Sequence, residues 1–150
     1  MISDSIIKMC QKELPAVGFS DAEVAQVVRN LTELNRFSYL EVDKRNSSIA
    51  NMAYFSAEAK MIAGKLRASL VRKELLVKKV AISRINTKML KPTAELIAIE
   101  SLDESLAGQL TEIDSISEKV MIAEKWHSYL NDVTWCLKDT SKAFGATKNG

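Results

Sequence analysis

Apolar residues return at helical intervals along nearly the whole of this chain. A short helix is predicted from about Ser5 to Leu14, stopped by Pro15 and Gly18. The stretch "SDAE" then offers a capping box, in which Ser20 caps the amide of Glu23 and the Glu23 carboxylate reaches back. Behind it Val24, Val27, Val28, Leu31 and Leu34 keep the 3–4 spacing of one apolar helix face. "NRFSYLEVDKRNSS" reads either as a connection or as a helical continuation.

From about Ser48 to Lys91 there is no proline and one glycine, Gly64. Tyr54, Met61, Ala68, Leu75, Ile82 and Met89 recur every seven residues, and Ala57, Gly64, Val71 and Ile85 fill the intermediate positions, with Lys78 the exception. That pattern predicts a heptad seam whose small residues let a partner helix come close. A helix of this length would extend roughly 65 Å at the standard rise, ending near Lys91 because Pro92 disfavours the α conformation before it. "KPTAELIAIE" reads as a stop and a short helix, Thr93 to Glu100. A second capping box, Ser101 with Glu104, then opens a last helix reaching about Phe144, and the tail "GATKNG" is expected to fray. On that last helix Leu102, Ile116, Ala123, Leu130, Leu137 and Phe144 share one heptad position, with Gln109 as the gap. Leu106, Ile113 and Val120 share its companion, which turns polar at His127, Thr134 and Ser141.

The fold expected is all-α: an elongated bundle of two long helices with shorter N-terminal ones, packed in coiled-coil fashion and oligomeric. It is read as one domain with an N-terminal helical region (1–47), a long basic helix (48–91) and an acidic linker helix with a C-terminal assembly helix (92–150). A hairpin of the two long helices covers one stripe on each. Leu66, Leu70, Val77 and Val80 on the basic helix, and Trp126, Val133 and Cys136 on the last, still need cover, and self-association is the natural source.

Composition agrees with helices. Five glycines, two prolines and 6% aromatics are poor material for turn-rich β architecture. Cys10 and Cys136 match no metal or redox spacing and read as buried thiols of a reducing cytoplasm, a disulfide between them being the alternative. Asp4 stands where a signal peptide needs basic residues, and no apolar run approaches the roughly 18 residues of a membrane span. The expectation is a soluble cytoplasmic protein.

Charge changes the picture more. The net charge is only +2, yet residues 60–91 carry ten Lys and Arg against the single acid Glu74, while residues 1–59 sum to −2 and residues 92–150 to −5. Lys65, Arg72 and Lys79 flank the seam, Lys73 joins Arg84, Lys88 and Lys91 on another side, and Lys60, Arg67 and Lys78 make a third line. Like charges along a helix cost stability. A polyanion offsets them, or else an acidic helix carrying Glu95, Glu100, Asp103, Glu104, Glu112, Asp114 and Glu118, in the same or another subunit. The polyanion reading gives sequence-independent, salt-sensitive binding, with Tyr54 and Phe55 read either as stacking faces for the bases of a single strand or as core residues. With charges on three sides, the helix leaves no wide apolar face for a membrane surface.

No residue set proposes a reaction. His127, the one histidine, lies on the polar end of a stripe and reads as a structural or surface residue rather than a catalytic one. There is no Gly-rich phosphate loop, and no carboxylate pair stands in a context that hydrolysis or metal binding needs. The expectation is a non-enzyme without metal or cofactor.

Lys78-Lys79-Val80-Ala81 in a long basic helix leads to "KPTAELI", an acidic stretch and a final helix bearing Trp126, Leu130, Trp135, Cys136, Leu137, Phe144 and Gly145. In this order the chain, over about residues 50–146, resembles the phage recombination mediator proteins (UvsY-like). The resemblance implies a protein that binds single-stranded DNA, forms a ring-shaped homo-oligomer through its C-terminal helices, and helps a phage recombinase replace single-strand binding protein. Carried onto this chain, it places the DNA contacts among Lys60, Lys65, Arg67, Arg72, Lys73, Lys78, Lys79 and Arg84. It places the assembly interface at Ile116, Ala123, Leu130 and Leu137, with Phe144 extending the same heptad line. The alternative is a helical interaction or assembly protein whose basic helix pairs with an acidic one, without nucleic acid.

Overall fold

The computed structural model describes the backbone of residues 2–88 and 93–149, and the side chains of residues 2–37, 39–83 and 107–143. Its elements are α1 (Asp4–Val17), α2 (Asp21–Glu33), a 3₁₀ segment (Leu34–Tyr39), α3 (Val42–Lys88) and α4 (Thr93–Asn149). Among the described residues the fold is all-α.

The N-terminal elements form where their caps dictate. Ser3 accepts the Ile6 amide to open α1. The helix runs through Pro15, which deletes only the bond to the carbonyl of exposed Gln11, and stops at Gly18 in the left-handed conformation (φ 113°). The capping box of α2 is complete: the Glu23 amide donates to Ser20 Oγ at 3.2 Å, and the Ser20 amide to Glu23 Oε1 at 3.1 Å.

The two long helices differ from expectation at their ends. α3 begins at Val42 rather than 48, since Val42–Ser47 contains neither proline nor glycine. Its expected end at Lys91 and Pro92 lies outside the described residues. Ser101 and Glu104 open no new helix: α4 is unbroken from Thr93, because nothing between 93 and 107 is a Gly or Pro and their amides already have partners one turn back. The tail expected to fray is helical to Asn149.

Contacts divide the chain into two compact units, residues 1–63 with 121–150, and residues 64–120. The first holds the main core. Cys10, Leu14 and Val17 of α1, Phe19 of the turn after it, Val24, Val27 and Leu31 of α2, and Phe37 meet Met52, Phe55, Ala59 and Ala63 of α3 and Ala123, Trp126, Leu130 and Leu137 of α4. The first forty residues thus cover the apolar stripe of α4 within the same chain. Burying side chains of this size is the dominant stabilising term, at about 1.5–3 kcal/mol each.

Thr134, His127 and Glu13 each find polar partners in or beside that core. Thr134, at a buried seam position, donates to the Leu130 carbonyl at 2.7 Å. His127 Nδ1 lies 2.9 Å from the Ser56 carbonyl, an acceptor only, so Nδ1 carries the proton; the Ser56 hydroxyl donates to the His127 carbonyl at 3.2 Å. His127 therefore links α4 to α3. Glu13 of α1 accepts Trp126 Nε1 at 2.7 Å and Lys125 Nζ at 2.8 Å. Burial alone would push its carboxyl up, but those hydrogen bonds with the Lys125 and Lys12 charges hold it below the usual carboxylate range.

In the second unit the distal part of α3 lies against the first part of α4, with Ile113 and Val120 buried and Leu66, Leu70, Val77 and Val80 half-buried.

Candidate nucleic-acid interface

α3 carries two apolar stripes, and the one read as its seam faces outward. Ala57, Gly64 and Ala68 are exposed, as are Tyr54, Met61, Val71, Leu75 and Ile82. The buried or half-buried line is instead Met52, Phe55, Ala59, Ala63, Leu66, Leu70, Val77 and Val80, which includes the four residues expected to lack cover. A seven-residue period is the same for both stripes; the one with Met52 and Phe55 is the one that meets α1, α2 and α4 in the core. On α4 the pattern singles out the buried line correctly: Ile113, Val120, Ala123, Leu130 and Leu137 are buried and Ile116 half-buried.

That packing places the cations. Lys60 is exposed in the first unit. In the second, Lys65, Arg67, Arg72, Lys78 and Lys79 are exposed, while Lys73 turns inward to pair with Glu112 at 2.9 Å. Lys65, Arg72 and Lys79 are seven residues apart and share one side of the helix, next to the stripe of Ala68, Leu75 and Ile82. Among the described residues Lys60, Lys65, Lys78 and Lys79 have no carboxylate within ion-pair distance, and Arg72 donates only to the Ala68 carbonyl, at 3.4 Å. The described acids of α4 on this unit are Glu112, held by Lys73, and exposed Asp114 and Glu118. Arg84 lies outside the described side chains, as do Glu95, Glu100, Asp103 and Glu104.

The aromatic candidates separate cleanly. Phe55 is 2% exposed and belongs to the core, against Phe19; Tyr54 is 58% exposed and available to a base. The residues assigned to assembly sit elsewhere than on the surface: Ala123 and Leu130 are fully buried by the chain's own helices, Leu137 nearly so, Ile116 half-buried, and Phe144 lies outside the described side chains.

Sequence reading expected both cysteines to be buried. Cys10 is, and burial with the nearby Glu13 charge pushes its thiol up to about 11, but Cys136 is exposed; both are free. The Glu13–Trp126 bond was not foreseen, though a tryptophan on a core stripe signals that its N–H needs an acceptor. Among the described residues no group of three His, Cys, Asp or Glu could hold a metal ion, and no helix is long and apolar enough to cross a membrane.

No protein-family model matches the chain, nor does any curated protein or solved structure.

Proposed function

We propose that the chain is a non-enzymatic single-stranded DNA-binding protein of the recombination-mediator kind, which self-associates and assists the loading of a recombinase in place of single-strand binding protein. The observation that carries this reading is the exposed cation row Lys65, Arg72 and Lys79, with Lys78 beside it, none of them matched by a carboxylate among the described residues. Such a row binds phosphates through counterion release, with little base preference. Lys60 and Arg84 extend the proposed footprint at either end in the sequence, Arg67 falls within it, and Tyr54 offers a stacking face. Lys73 leaves it, because its ammonium is engaged by Glu112. The same Lys73–Glu112 pair is the observation that favours the rival reading, an interaction protein whose basic helix is answered by an acidic one.

Fluorescence anisotropy with a labelled oligo-dT at two salt concentrations tests it. Binding is expected at low salt and weakens steeply as salt rises, by a slope of roughly 0.7 per phosphate contacted on a single strand. Absence of binding at low salt removes the proposal in favour of the interaction protein.

A further inference from the structure

The second unit has an open groove of about 660 Å³ between its two helices. Its walls are apolar: Val71, Leu75, Val77 and Ala81 from α3, Leu110 and Ile113 from α4. Three of these remain half or more exposed in the protomer, Val71 at 57% and Leu75 and Leu110 at 51% each. Two packed helices leave such a trough because each buries only one stripe, and a further helix or pair of helices normally fills it.

Charge says which helices fit. Residues 64–88 hold eight Lys and Arg and one acid, and residues 93–118 hold seven acids and no Lys or Arg. A second copy of α3 laid on α3 sets cations against cations. A second hairpin rotated by a two-fold axis does the opposite: each basic arm lies between two acidic arms, and like arms fall on the diagonal of a four-helix arrangement. Lys78, which lines the groove, then meets the partner's acidic arm. The surface is self-complementary, as a two-fold interface requires.

We infer that residues 64–120 pair with the same segment of a second copy of this chain, the apolar groove of each hairpin filled by the other and the basic arm of one set against the acidic arm of its mate. This deepens the self-association part of the reading above; of the proposed DNA footprint it takes only Lys78, which lines the groove. The row Lys65, Arg72 and Lys79 does not line the groove and stays available in the pair.

The test is the solution mass of the full chain by light scattering or sedimentation over a hundredfold range of concentration. The expected mass is at least twice 16.7 kDa, and Leu75→Asp with Leu110→Asp lowers it at least twofold while the helical circular dichroism stays unchanged, both residues being half exposed in the protomer. Lys78→Glu shifts the pair toward monomer, and Leu75→Met leaves it intact. Wild-type chain at 16.7 kDa throughout overturns the inference. So does a double variant with the wild-type mass, or a monomeric wild type that captures a synthetic amphipathic helix of leucine and glutamate heptads, which would assign the groove to another protein. The Lys65→Ala, Arg72→Ala, Lys79→Ala variant retains the wild-type mass, so failure to pair and failure to bind DNA are read separately.

Discussion

The Glu13 carboxylate accepts the indole N–H of Trp126 at 2.7 Å, and through that bond α1 is fastened to the middle of α4. Lys125, one residue away, holds the other carboxylate oxygen at 2.8 Å. Glu13→Ala strands a buried indole N–H and is expected to cost about 1–3 kcal/mol in denaturant unfolding. Glu13→Gln keeps an acceptor for Trp126 and loses the half-exposed lysine pair, an effect of about 1 kcal/mol or less.

The pH dependence of that contact has a definite sign. Glu13 has a lowered carboxyl pKa in the folded chain, so its contribution is complete above the unfolded value of about 4.3 and is lost as pH falls through the lower folded value. Wild type and Glu13→Gln are therefore expected to differ most in stability near neutrality and to converge in acid. A difference that grows below pH 4 contradicts the assignment.

Leu130 discriminates between a core and an assembly role. It is fully buried among helices of its own chain, so Leu130→Ala is expected to destabilise the protomer by about 2–5 kcal/mol through lost contacts and a cavity. Chemical unfolding reads the loss directly. A variant of unchanged stability but lower mass would return Leu130 to the assembly interface.

The two thiols separate by environment. Cys136 is exposed, whereas Cys10 is buried with its pKa raised to about 11. Thiolate is the reactive form. One thiol per chain is thus expected to react promptly with a disulfide reagent in native buffer and two after denaturation. Cys136→Ser abolishes the fast phase, and Cys10→Ser leaves it unchanged.

On α3, Lys65, Arg72 and Lys79 are expected to act additively on oligonucleotide affinity. Each change to alanine lowers the salt slope by roughly 0.7. Lys73→Ala, which removes an ammonium already paired with Glu112, changes the slope little. Equal slopes for all four variants would exclude the row.

Much of the fold could be read from spacing, and the failures have one source. The capping box at Ser20 and the buried line of α4 from Ile113 to Leu137 follow from local chemistry and period, and both are found. The α3 face could not be chosen that way. Its two stripes have the same seven-residue period, and the choice between Met61 with Leu75 and Met52 with Leu66 depends on which neighbours arrive from elsewhere in the sequence. Ser101 and Glu104 failed for a similar reason, since a cap needs amides left unpaired and an uninterrupted helix provides none. Of the candidate site, the excess of cations was legible, with ten Lys and Arg against the single acid Glu74 over residues 60–91. The inward turn of Lys73 was not, because its partner lies 39 residues away.

The first unit is assembled from the two ends of the chain, residues 1–63 and 121–150. A nascent polypeptide leaving the ribosome therefore exposes Leu14, Val27, Leu31 and Phe55 long before Trp126 and Leu130 exist to meet them. Maturation of this core must wait for residues 121–150, and a chain cut short before Trp126 leaves the apolar faces of α1 and α2 without their α4 cover.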